Sequence, residues 1–196
     1  FHGPRAPVVS IGPHYSIMFS LNVPLPPAVD RLADDLHPQL VAFDRLRERR
    51  TLVCKRIGAE DVGVAPGRDP TAERDRAVAE IRERVRPVLD GTDPIDIGIT
   101  GIEYFRRPTR GPGPVVYLRV ESGDLRRVHR RLCGVFDPVE GMEGEEYTPH
   151  VTLARGGDIE AAERLTNLEV DPIEWRAGSL EVYDPDFREP AATIEF

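Results

Sequence analysis

Hydrophobic and polar positions alternate from Tyr15 to Val23, the period of a strand with one buried face, and Pro24, Pro26 and Pro27 end it because proline has no N–H for a sheet ladder. The period then changes. Val29, Leu32, Ala33 and Leu36 fall on one face of a helix spanning 28–36, which Pro38 stops. Residues 51–57 read as the next strand. After a loop with Gly63, Pro66 and Gly67, Asp69-Pro70 starts a second helix with Ala77, Ile81, Val85 and Val88 on its apolar side, ending near Gly91. Alternation returns over 95–105, Gly111-Pro112-Gly113-Pro114 turns the chain, and 115–120 completes a hairpin.

The second half repeats this order. A helix over 124–136, a strand around His150, a helix over 158–168 and strands at 179–183 and 192–196 follow one another. Each half reads as strand, helix, strand, helix and hairpin-type strands, with 115–120 opening the second. This predicts an α+β duplication rather than a solenoid, whose repeats would be shorter and more numerous.

At 196 residues the chain suits one compact unit, and we expect residues 1–13 to be a tail and 14–196 a single domain. No apolar run approaches the roughly 18 residues of a membrane span, and no signal pattern opens the chain, which predicts a cytoplasmic protein without membrane partners. Cys54 and Cys133 stand far apart without Cys-x-x-Cys spacing, as buried thiols of a reducing compartment do. The net charge of −8 argues against nonspecific coating of nucleic acid but leaves room for a local basic cleft. Lys55 is the only lysine; the other side chains with a permanent positive charge are arginines, the better bidentate ligands for phosphate.

One stretch carries chemistry. In Tyr147-Thr148-Pro149-His150-Val151-Thr152-Leu153-Ala154-Arg155, strand alternation puts His150 and Thr152 on the same face. An imidazole and a hydroxyl side by side can move a proton and hydrogen-bond a phosphate oxygen. At the matching point of the first repeat, Arg49-Arg50-Thr51-Leu52 falls opposite His150-Val151-Thr152-Leu153. With Asn22-Val23-Pro24 closing the opening strand and the duplicated order, the chain from Tyr15 onward resembles the 2H phosphoesterase superfamily, in particular the LigT-like proteins described as 2′-5′ RNA ligases or RNA 2′,3′-cyclic phosphodiesterases.

The resemblance implies a bilobal α+β fold of two pseudo-two-fold lobes, with antiparallel sheets around a central cleft to which each lobe gives one His-x-Thr/Ser-x strand. It implies one histidine as general base and the other as general acid, two hydroxyls holding the phosphate, no cofactor and no metal. Its substrate would be an RNA end or small nucleotide with a 2′,3′-cyclic phosphate, opened by water to the 2′-phosphate. We expect a monomer.

The first motif departs from this pattern, because Arg49 and Arg50 stand where the histidine should be and a guanidinium does not give up its proton. Catalysis is therefore expected to rest on His150, Thr152 and Thr51, with Arg49, Lys55 and Tyr147 binding substrate. Parity with Thr51 favours Arg49 over Arg50, and a bulge between them would exchange the two. Lys55 shares that parity and can line the cleft or sit at a sheet edge; Tyr147 can stack on a base or pack in the core. Arg155, of opposite parity to His150, is expected to tie its strand to a neighbour. His14, in His14-Tyr15-Ser16-Ile17, also fits His-x-Ser-x, but it lies before the first helix rather than after it. On the helix carrying Leu125, Val128 and Leu132, four arginines read as a solvated face. The competing functional reading is a relative with an impaired site that binds phosphorylated nucleotides or RNA ends without turnover.

Overall fold

The computed structural model describes residues 17–64 and 69–196. Its strands are β1 Ile17–Val23, β2 Arg45–Leu46, β3 Leu52–Gly58, β4 Ile95–Phe105, β5 Val115–Glu121, β6 His150–Arg155, β7 Ile173–Ala177, β8 Ser179–Asp184 and β9 Glu189–Glu195. Its helices are α1 Pro27–Asp35, α2 His37–Leu40, α3 Pro70–Leu89, α4 Gly123–Cys133 and α5 Ile159–Thr166. The strands and longer helices follow the periodicity, with two exceptions. The exposure of Glu174 and Arg176 on β7 leaves it few apolar positions to betray it, and β2 is only two residues long.

Local chemistry explains the helix ends. Asp69 accepts from the Thr71 N–H ahead of Pro70, whose missing N–H costs nothing at the first helical position, and Gly91 at φ 70° follows the last turn of α3. Ser122 caps α4 by accepting from the Leu125 N–H at 3.0 Å. On α3 the buried residues Ala77, Ile81, Val85 and Leu89 recur every fourth position, so one face of the helix meets the core.

All strands join one antiparallel sheet in the order β7-β4-β5-β6-β3-β1-β8-β9, with β2 pairing to β6 beyond the end of β3. Four strands thus lie on each side of a central β3–β6 seam, the arrangement a duplicated chain produces when its halves share a sheet. The helices α3, α4 and α5 pack against β9, β3 and β4, burying Leu52, Cys54, Leu118, Val151 and Leu153 beneath them. The opposite face of the seam is free for chemistry.

Residues 47–51 do not extend β3 as the first-motif reading requires. Arg50 turns back to α1, where its guanidinium pairs with Asp30 and Asp34, both at 3.1 Å, and Arg49 is exposed in the bend before the strand. Two carboxylates one helical turn apart capture the arginine that alternation alone would have left beside the seam.

Candidate active site

The register of the seam sets the site. Leu52 pairs with Val151, and continuing that antiparallel register places Thr51 opposite Thr152 and Val53 opposite His150. The local two-fold that exchanges Leu52 with Val151 also exchanges Thr51 with His150 and Val53 with Thr152. The first-strand equivalent of His150-Val151-Thr152 is therefore Thr51-Leu52-Val53, shifted by two residues from the alignment that matched threonine to threonine.

Bulges extend the symmetry. Against β1, β3 carries one extra residue at Cys54 (Leu21 faces Lys55, Asn22 faces Val53); against β5, β6 carries one extra residue at Leu153 (Val116 faces Ala154, Tyr117 faces Thr152). A bulge reverses side-chain parity beyond it. Lys55 thus turns into the core while Arg56 turns to the open face, and Ala154 turns in while Arg155 turns out. Arg56 and Arg155 are two-fold mates. Arg155, expected to tie its strand to a neighbouring element, does so by donating to the Arg110 carbonyl at 3.2 Å, and it lines the cavity as well.

These residues surround a cavity of about 270 Å³ whose walls include Thr51, Val53, Arg56, His150, Thr152 and Arg155. His150 packs against both rings of the Phe105–Tyr117 pair, with its centroid 5.2 Å from each. Its Nδ1 is 2.6 Å from the Thr148 carbonyl, which can only accept, so Nδ1 carries the proton and the neutral ring presents a free Nε2 lone pair. Burial is the main cause that lowers the His150 pKa; the Thr148 bond opposes it, and Arg56 and Arg155 reinforce it. The ring is held neutral, ready to accept a proton. Tyr117 donates to Glu103 at 3.2 Å, and burial raises its pKa, so it remains a phenol.

Lys55 is not a cleft residue. Its side chain is fully buried, with Nζ 2.6 Å from Glu143 Oε2, 2.5 Å from the Arg56 carbonyl and 3.0 Å from that of Asp137. Glu143 also accepts from the backbone N–H of Arg56 at 2.6 Å and of Val139 at 3.0 Å. Buried His129 donates from Nδ1 to the bulge carbonyl of Cys54 at 2.7 Å and accepts the Gly144 N–H at Nε2, 2.9 Å away. Tyr147 has its hydroxyl on the Val53 carbonyl at 2.8 Å and its ring stacked on His129 with centroids 3.8 Å apart. It is 4% exposed and packs mainly in the core, touching the floor of the cavity with what remains. Backbone groups that the bulge removes from the ladder thus find side-chain partners, as buried polar groups must. This network fixes where Arg56 emerges.

Arg49, expected to bind substrate, lies away from the cavity, as does Arg50; among the described residues the arginines that reach the cavity are Arg47, Arg56, Arg107, Arg110 and Arg155, against one acidic side chain, Glu146. Three come from segments that alternation could not place. Arg47 follows β2, where its N–H donates to the Leu153 carbonyl at 2.8 Å, while Arg107 and Arg110 sit on the β4–β5 turn. The helix arginines are elsewhere: Arg126 donates to the Tyr147 carbonyl, Arg127 pairs with Asp124 and Arg131 donates to the Val88 carbonyl. His14 lies outside the described residues. Among the described residues no group of three or more His, Cys, Asp or Glu side chains could hold a metal ion, and no helix is long and apolar enough to cross a membrane.

A histidine with a free ring nitrogen, two threonine hydroxyls and five arginines lining one cavity are groups that can hydrogen-bond and neutralise a phosphate ester. A family model described as the 2′-5′ RNA ligase superfamily matches residues 65–187, a stretch that contains β6 with His150 but not β3. The crystal structure of TT0787 of Thermus thermophilus shares the fold at a TM-score of 0.57, with 18% sequence identity over 91% of this chain and 97% of that one. No curated protein matches the chain.

Proposed function

Because the chain belongs to the 2′-5′ RNA ligase superfamily, we propose that its cavity opens a 2′,3′-cyclic phosphate at an RNA end or on a small nucleotide, with His150 as the single acid–base group. The observation that carries this reading is the 2.6 Å contact of His150 Nδ1 with the Thr148 carbonyl, which assigns the proton to Nδ1 and leaves Nε2 free on a ring that lines one cavity with Thr51, Thr152 and Arg56. Nε2 takes a proton from water as the water oxygen bonds to phosphorus. The bond from phosphorus to the 3′-oxygen breaks, leaving the 2′-phosphate, and the departing oxygen takes a proton from solvent. Thr51, Thr152 and Arg56 stabilise the charge that builds on the nonbridging oxygens. No cofactor enters this scheme.

The leaving oxygen lacks a positioned acid, since a threonine hydroxyl has no proton to release near neutrality. Turnover is therefore expected to run slower, by the ~10²–10⁴-fold that a positioned acid or base typically contributes. Thr51 at the two-fold mate of His150 also favours the second reading, a binding protein for phosphorylated ends. Hydrolysis of adenosine 2′,3′-cyclic phosphate by the wild type and by His150→Ala, with the product identified by phosphorus NMR, separates the two. Turnover to the 2′-phosphate that disappears in the variant supports the esterase. No turnover, with adenosine 2′-phosphate still bound in calorimetry, sinks it and leaves the binding protein.

A further inference from the structure

A 2′,3′-cyclic phosphate carries a single negative charge, whereas the cavity holds five arginines and one glutamate. Among the described residues Arg47, Arg107 and Arg110 have no carboxylate within ion-pair distance, whereas Arg56 in the same cavity is held by Glu143 at 3.7 Å. Arg155 has only the Arg110 carbonyl, at 3.2 Å. We infer that Arg47, Arg107, Arg110 and Arg155 form a second phosphate subsite at the mouth of the cavity, which takes a phosphate on the 5′ side of the reacting nucleotide. The inference rests on the reading of the inner cavity as a phosphoester site.

Three observations support it. The cationic cluster is held together rather than incidental: Arg45 pairs across from Arg155, and the Arg155 pKa is lowered by burial first and then by Arg47 and Arg45. Like charges gathered without a counter-ion destabilise the free protein and favour an anion among them. The turn that carries Arg107 and Arg110 is also fixed, because Thr109 Oγ1 donates to the Gly141 carbonyl at 2.8 Å and straps it to the loop on the other wall. The backbone that carries both arginines is thereby tied to the opposite wall before any ligand arrives.

The third is the sign of the charge on the other side. From His150 across β5 and β4 the same sheet face presents Arg119, tied to Glu103 at 3.0 Å, and then Glu121. A polyanion is repelled in that direction and drawn toward the arginines. A cyclic phosphate closes the 3′ end of its nucleotide, so the further phosphate of the substrate lies on the 5′ side. It is either a free 5′-phosphate or the phosphodiester of an RNA chain.

Calorimetry with adenosine 2′-phosphate, adenosine 2′,5′-bisphosphate and the dinucleotide ApA ending in a 2′-phosphate tests this. The wild type should bind the bisphosphate ~10-fold or more tightly than the monophosphate at about 0.1 M salt, through charge-assisted bonds to arginine. The ratio should shrink as salt rises and collapse in the Arg107→Gln/Arg110→Gln double variant. An equal gain with the dinucleotide identifies a chain phosphodiester as the natural occupant; a gain with the bisphosphate alone identifies a terminal 5′-phosphate. A wild-type ratio near one, with the monophosphate still bound, overturns the subsite and leaves the inner site standing. Failure to bind adenosine 2′-phosphate at all overturns both.

Discussion

Thr51→His restores an imidazole at the two-fold mate of His150 and tests the seam register directly. Leu52 pairs with Val151, so position 51 stands to β6 as position 150 stands to β3. Thr51 is half-buried and lines the cavity, which leaves its side chain room to grow without displacing the fully buried Leu52. A general acid added on the leaving-oxygen side is worth ~10²–10⁴-fold, about 2.7–5.4 kcal/mol of barrier. Val53 supplies no hydroxyl where the second motif has Thr152, so the gain should lie toward the lower end, ~10²–10³ in kcat. Steady-state hydrolysis of adenosine 2′,3′-cyclic phosphate reads the effect, and the pH profile of kcat should become bell-shaped as two imidazoles divide the proton transfers. Arg49→His is the control. Arg49 lies outside the cavity, and its replacement should change nothing. A gain from Arg49→His, or none from a folded, ligand-binding Thr51→His, would refute the register argument.

Burial lowers the pKa of both His150 and His129 below the ordinary 6.5, so the acid limb of kcat/KM should fall below pH 6.5 and vanish in His150→Gln. For stability the sign is the same for both rings. The unfolded chain binds the extra protons first, so the contribution is complete above about pH 6.5 and is lost as pH falls toward the folded values, which urea titrations at stepped pH would detect. Lys55→Met removes the closest counter-ion of buried Glu143 and leaves only the more distant Arg56 guanidinium, 3.7 Å away; urea denaturation should show a loss of about 3 kcal/mol, partly recovered by adding Glu143→Gln, whereas a surface-like loss below about 1 kcal/mol would contradict a buried pair. Tyr147→Phe should cost about 1 kcal/mol through the lost bond to the Val53 carbonyl while leaving nucleotide affinity unchanged; a loss of affinity with full stability would give the hydroxyl a role in binding substrate rather than in the core.

Much of the architecture can be read in the amino-acid order. The strand at 95–105, the strand from Val115, the long helix from Pro70 and the duplicated order all follow from periods of two and 3.6 and from proline and glycine at element ends, because each is decided by neighbours along the chain. His150 and Thr152 can be paired for the same reason, since no bulge separates them. Past Cys54 and Leu153 alternation fails. A bulge is created by the partner strand and by the groups that receive its displaced carbonyls, here the His129 ring on α4 and Tyr147, and neither announces itself in the local sequence. Alternation therefore puts Lys55 where Arg56 emerges, and it points Arg155 away from the site. The repeat holds a usable clue, an arginine at the fifth position after both Thr51 and His150, but its meaning depends on register. Counting alone places Arg49 beside Thr51, and the two carboxylates of α1 that hold Arg50 are brought there only by folding. Composition and periodicity determined what kind of elements this chain forms and that one of them carries a histidine and a threonine on one face. Which guanidiniums surround it was decided by tertiary pairing of segments distant in sequence, because side-chain direction in a sheet belongs to the pair of strands and not to either strand alone.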